Sequence, residues 1–305
     1  MTKPRRRDDP GSMVEDSARG KGNTPKRHHT VPRFYLERFS VGSDVILVKR
    51  HDFTVSLPTD ITNATVEKHF YTLDLEEGRS PELEQLFADK IEPMGAGAIS
   101  RIVDQGYFPP PFGRRTALST FCAFQFIRGA AVRNVMREHY EATAKKTASM
   151  ISREEAREVI INDKLPNPTE KDVDEFIAWM RDPNAYRVRA SSEANLHAGA
   201  TLASVMNLIP YFDKRHWMLV TFDDDVLVTG DEPIGLVSAS GEPGDMALGL
   251  HGAVEVYLVT DPRHAIAMIR PDRATKDASH KGTPDLARRI NRNVAYGCHL
   301  SDPLI

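Results

Sequence analysis

Two adjacent histidines, His28 and His29, stand just ahead of a proline and an aromatic, arginine-flanked segment in the stretch KRHHTVPRFYLERFS. Neutral imidazole is the commonest protein metal ligand and titrates near neutral pH. On an extended chain neighbouring side chains point to opposite faces. One histidine of the pair would therefore face a site and the other solvent, and the residues alone leave open which. Pro32 stiffens the local backbone, and Phe34, Tyr35, Leu36 and Phe39 supply an apolar anchor. The competing reading is that His29 bonds a carboxylate and merely ties down the segment.

Four further polar positions join them. Glu84 and Glu92 lie eight residues apart on one helical stretch, about 80° apart around its axis. Glu84 borders the apolar face, and Glu92 points away unless Pro93 redirects it. They read as metal ligands or an acid/base pair, or else as a solvated helix face. Gln125 falls inside an apolar stripe, where its amide needs partners, and Arg128 lies one turn on. A fixed guanidinium beside a buried amide suits a bound carboxylate or phosphate, and equally an internal bridge to Glu84 or Glu92. Asp231 ends a strand-like run ahead of Pro233, a place where sites gather and also where Asx-turns form. Asn195, His197, Asn291 and Asn293 are weaker candidates. The chemistry this inventory allows is metal-assisted or acid/base hydrolysis, with Glu84, Glu92, Gln125, Arg128 and Asp231 in catalytic or binding roles. A divalent metal would take His28, His29, Glu92 and Asp231 as ligands.

Positioning these residues calls for particular elements. DVILVKR (44–50) and FTVSL (53–57) read as a hairpin across the intervening HD. Residues 79–103 read as a helix, with Ser80 as N-cap, Pro81 in the first turn and a kink or split expected at Pro93. A long helix is expected over 114–147, burying Leu118, Phe121, Cys122, Gln125, Gly129, Val132 and Met136. Two charged helices follow, the first opened by the capping box SREE. Another helix runs over 192–208. The runs HWMLVTF, VLVTG, IGLVS, VEVYLVT and HAIAMIR are strands by composition, and a last helix lies near 284–293. The fold class expected is α+β. A helical middle region packs on a mainly antiparallel sheet built largely from the C-terminal third, plus an N-terminal hairpin. Residues 1–26 read as a disordered basic tail, and 27–305 as a single domain with a charged helical excursion at about 148–190.

Totals set limits on partners. The 305 residues carry a formal net charge of −3, so no global basic field holds nucleic acid; only the short basic run at the N-terminus offers one locally. The two cysteines, Cys122 and Cys298, have neither zinc nor redox spacing, which fits a reducing cytoplasm. No apolar run is long enough to span a bilayer, and no apolar segment follows the basic start to make a secretory signal. No GxGxxG, Walker A, HExxH or GxSxG pattern occurs.

The ordered set HHTVPRFYLERF, ELEQLFADKIE, AFQFIRG, LVTGDEP and RRINRNVA resembles a mainly microbial family catalogued as domain of unknown function 4238. The resemblance spans about residues 27–298. That family's pattern joins His-x-x-x-Pro-x-x-aromatic-Leu-x-x-Phe, an acidic helix, a Gln-x-x-Arg helix and a strand ending Thr-Ser-Asp-x-Pro. Gly230 stands here where the family usually has Ser. The resemblance implies no activity. Two functional readings follow from the residues. One is a hydrolase, a metal-dependent nuclease or phosphoesterase, with Arg128 holding the anionic group. The other is a binding or sensory module whose polar residues form an internal network.

Overall fold

The computed structural model describes residues 27–298 apart from 41, 43, 49–55, 69–72, 76, 77, 81, 164, 245–247 and 275, leaving aside the side chains of 27, 28, 67, 68, 73–75, 78, 79, 83, 84, 193, 194, 197 and 200. The basic tail expected at 1–26 lies outside these residues. β1 (Arg27–His29) carries the two histidines on extended backbone, as expected, and leads through Pro32 into the short helix α1 (Arg33–Glu37), which carries Phe34, Tyr35 and Leu36. The strands β2 (Val45–Val48), β3 (Leu57–Asp60), β4 (Val66–Lys68), β5 (Leu73–Leu75) and β6 (Gly78–Ser80) follow. They form three two-stranded antiparallel sheets, β1 with β4, β2 with β3 and β5 with β6. Of the hairpin expected from 44–50 and 53–57, residues 53–55 lie outside the described residues, and β2 pairs antiparallel with β3 at 57–60. Its far end is set by Asp60, whose carboxylate accepts from Thr62 N at 2.7 Å, and by the fully buried Ile61.

The acidic helix is one continuous run: α2 (Glu82–Leu86), a π-helical turn (Phe87–Ile91), α3 (Glu92–Ile99) and a second π turn (Ser100–Asp104). Pro93 neither ends nor splits it. The wider turn just before it lets Glu92 N–H reach the Phe87 carbonyl five residues back, which accommodates a residue that lacks its own N–H.

The helix expected over 114–147 is two helices, α4 (Phe112–Ile127) and α5 (Ala130–Ala148). Gly129 separates them in extended conformation (φ −62°, ψ 155°). Of the expected inward face, Leu118, Phe121, Cys122, Gln125, Gly129 and Val132 are buried, while Met136, on α5, is only partly so. The excursion comprises α6 (Arg153–Asn162) and α7 (Glu170–Arg181), each opened by a full capping box, Ser152 with Glu155 and Thr169 with Asp172. α8 (Glu193–Asp213) then runs past the expected end and through Pro210.

The C-terminal third forms a six-stranded sheet with two helices in its connections and at its end. Its elements are β7 (His216–Thr221), β8 (Ile234–Val237), β9 (Pro243–Gly244), the short helix α9 (Gly249–Gly252), β10 (Glu255–Asp261), β11 (His264–Ile269), β12 (Ala278–Lys281) and α10 (Pro284–Cys298). The strand order is β12-β7-β11-β10-β8-β9, antiparallel throughout except for β12 with β7. VLVTG is not a strand. Its backbone is held by a side chain instead: Asn291 of α10 accepts from Val228 N at 3.0 Å and donates to the Val226 carbonyl at 2.8 Å. α10 also continues through VAYGC rather than stopping near 293.

Period-two alternation buries both faces of the sheet. Val256 and Leu258 of β10 join Trp217, Ile266 and Met268 in a core shared with α1, the acidic helix, α4 and α8. Tyr257 and Val259 face the other way, with Ala265, Ala267, Ile290 and Val294, against α10. The architecture is α+β, with helices on both sides of the sheet. α6 and α7 have a small core of their own, Ala156, Ile160, Val173 and Ile177. Buried Arg215 closes the region between α8, α9 and the sheet. Its guanidinium donates to the carbonyls of Tyr211 (2.8 Å), Leu250 (2.7 Å), Ala253 (2.8 Å) and Val254 (3.2 Å). Burial depresses its pKa to about 10.

Candidate functional site

The N-terminal segment is tied to α4 by main-chain chemistry. His29 Nδ1 donates to the Ala64 carbonyl at 3.1 Å, and Thr30 N donates to Thr65 O at 2.8 Å. Thr65 is β-branched yet has φ +51°, a conformation such residues rarely take. The carbonyl of Thr30 faces α4, where Gln125 Nε2 donates to it at 3.1 Å. A carbonyl only accepts, so this bond fixes which way round the amide sits. Gln125 Oε1 is left buried with no hydrogen-bond partner.

Arg128 caps the end of α4 and is only 2% exposed. One edge of its guanidinium meets Glu92, with Nη1 at 3.5 Å from Oε1, and the group lies 5.5 Å from the centre of the Phe87 ring. Nε and Nη2 are buried and without partners. These two nitrogens point their hydrogens along the same edge of the guanidinium, the fork that receives a carboxylate or phosphate in bidentate fashion. Glu92 thus turns inward rather than away, because the π turn ahead of it changes the angular register of the helix. Its side chain remains 26% exposed.

A second cluster lies where α4 hands over to α5. Glu232 Oε1 accepts from Ala131 N at 3.1 Å, within the first turn of α5. A Cβ on residue 129 would overlap the Glu232 carboxylate, so glycine is what lets the carboxylate reach the helix end. Burial pushes the Glu232 carboxyl up to about 7; neighbouring Asp231 adds to the rise, while the Ala131 N–H opposes it. The thiol of Cys298, at the end of α10, bonds Asp231 and is itself pushed up to about 12, chiefly by burial. A Cβ at Gly230 would meet the Cys298 sulfur. Next to this cluster, Thr229 Oγ1 lies 3.0 Å from Tyr35 OH, and the tyrosine hydroxyl also donates to the Val259 carbonyl. Tyr35 is the fully buried aromatic of the N-terminal segment, whereas Phe34 and Phe39 are only partly buried.

The structure therefore brings together Glu92, Gln125 and Arg128 with Thr30. It places Asp231 with Glu232 and Cys298, and His29 on the Ala64 carbonyl. The side chains of His28, Glu84 and His197 lie outside the described residues. Asn291 pins the 226–228 backbone, and Asn293 donates to the Arg289 carbonyl at 2.7 Å. Asn195 N bonds Ser192, the N-cap of α8. Among the described residues no three His, Cys, Asp or Glu side chains are grouped to hold a metal ion, and no helix is long and apolar enough to cross a membrane. A groove of about 520 Å³ lies elsewhere, between α5 and the end of α7, lined by Glu138, Lys145, Lys146, Met180 and Arg181 among others. None of the candidate residues lines it. Glu232 is the residue that reading the sequence missed. Its signal was Gly129, an unexplained glycine inside an apolar helical stripe.

With this geometry in place, the chain belongs to the family described as protein of unknown function DUF4238, whose model matches residues 27–301. No curated protein and no solved structure matches it.

Proposed function

We propose that this DUF4238 protein is a binding module for an anionic ligand, with the Arg128 guanidinium as its anchor. The observation that carries the reading is the Nε–Nη2 edge of a buried arginine, without a partner among the described residues, whose one carboxylate neighbour among those residues stands at 3.5 Å on the opposite edge. A buried cation left with unpaired donors is costly, and a bidentate anion supplies both missing bonds and the counter-charge. One turn back on α4, Gln125 is itself fixed by its bond to the Thr30 carbonyl.

The test is thermal unfolding and calorimetric titration with acetate and inorganic phosphate. At least one anion should raise the melting temperature of the wild type. Arg128→Lys keeps the charge but not the fork and should lose that response. A wild type that responds to neither anion overturns the reading.

Hydrolysis is a second reading, favoured by Asp231 and Glu232 beside the α4–α5 junction. A carboxyl titrating near 7 suits proton transfer at neutral pH. A divalent metal held by His28, His29, Glu92 and Asp231 belongs to this reading, as does a nuclease or phosphoesterase substrate. Metal analysis of the purified protein, with turnover of a chromogenic phosphate ester, separates it from binding alone.

A further inference from the structure

We infer that the Arg128 site takes an anion that carries its own hydrogen-bond donor beside the charge, as a 2-amino acid or a hydrogen phosphate does. This rests on the anion-binding reading and narrows its ligand class. Three observations carry it. Gln125 precedes Arg128 by three residues on α4, the spacing that places two side chains on one face a turn apart. The Thr30 carbonyl holds Nε2 of Gln125, so the atom left over is the acceptor Oε1 and not a donor. Both side chains are almost fully buried, Gln125 at 1% and Arg128 at 2% exposure, so neither an open acceptor nor an open fork is compensated by bulk solvent.

The two open groups differ in what they require. The Nε–Nη2 fork needs oxygen lone pairs and negative charge. Oε1 needs an N–H or O–H. A fully deprotonated anion such as sulfate satisfies the first and sets its own lone pairs against the second. An anion bearing an ammonium, hydroxyl or acidic proton next to its charged oxygens satisfies both. Glu92, on the Nη1 side of the same guanidinium, adds a negative charge that favours a cationic donor such as ammonium. Leaving one buried polar group unpaired costs about 1–3 kcal/mol, which converts to roughly 5- to 150-fold in affinity between matched ligands.

The experiment compares matched ligands on the full-length wild-type protein by calorimetry and thermal shift at constant ionic strength. L-alanine is compared with propionate, and phosphate at pH 6.5 with sulfate. The inference expects at least one donor-bearing member to bind at least 5-fold more tightly than its partner. Which pair shows it tells whether the site is built for an amino acid or for a phosphate. Gln125→Met should reduce the preference within each pair to less than about 2-fold, whatever it does to the absolute affinities. Since the wild-type comparison stands alone, a Gln125→Met protein that fails to fold does not remove the test. Propionate and sulfate binding as well as their partners overturns this inference and leaves the anchor role of Arg128 intact. No binding by any of the four overturns both.

Discussion

Glu232 is poised between two opposing influences. The first turn of α5 offers it an N–H and the positive end of a helix, which favour the charged carboxylate. Burial and the adjacent Asp231 favour the neutral acid, and they prevail, placing its pKa at about 7 against an ordinary 4.5. The folded state therefore holds the proton more tightly than the unfolded chain. The stabilisation from this group is fully present below pH 4.5 and declines as pH rises through 7, because between those values the native state binds more protons. The full difference amounts to about 3 kcal/mol. Glu232→Gln cannot ionise and keeps an oxygen for Ala131 N. Urea unfolding of both proteins at pH 5 and pH 8 should show the wild type losing more stability than the variant over that range. Equal losses would place the Glu232 carboxylate in water.

At the scale of elements, the break between α4 and α5 and the stitching of α8 to the sheet each rest on one residue. Gly129→Ala should destabilise by roughly 1–3 kcal/mol despite alanine's better helix propensity, because the new methyl meets the Glu232 carboxylate. In a Glu232→Ala background the same change should be close to neutral. A double-mutant cycle from chemical denaturation measures that coupling, and an additive cycle would remove Glu232 as the cause of the break. Among the described residues no carboxylate pairs with Arg215; carbonyls of α8, α9 and the β10 approach surround it. Arg215→Met leaves those acceptors buried without a donor and should cost about 3 kcal/mol or more. Arg215→Lys, with no planar fork, should recover only part of that loss in the same unfolding assay.

On the scale of the whole molecule, the apolar packing on the two faces of the sheet contrasts in size with the small core of the excursion. The main core links the N-terminal clamp, the acidic helix, α4, α8 and the sheet, while α6 and α7 close on four buried residues of their own. Charged contacts reinforce the small unit, including Arg153 with Glu170 and Asp174, but these are exposed and contribute little. Ile177→Asp should therefore melt α6 and α7 while the main core stays folded. Far-UV circular dichroism would show partial loss of helix, and the buried Trp217 would keep its fluorescence maximum. A wild-type-like helical signal, or simultaneous collapse of the Trp217 environment, would argue against this division.

What could be read from residue order alone is what depends on local periodicity. The α+β class, the inward face of α4 with Gln125 on it, the capping box of α6 and four of the five strands expected in the C-terminal third follow from spacing and composition. Each depends only on neighbours within a turn or a strand. The rest was decided by contacts between positions far apart in the chain. VLVTG has strand composition but pairs with the amide of Asn291, 63 residues from Val228. Residues 114–147 have a continuous helical pattern but are cut at Gly129 by a carboxylate from residue 232. Glu92 faced solvent by angle and turns inward only because a π turn shifts its register. The open edge of Arg128 belongs to the same class. Sequence placed an arginine beside an amide, but which of its nitrogens find partners is a property of the packed surroundings, and only tertiary structure settles it.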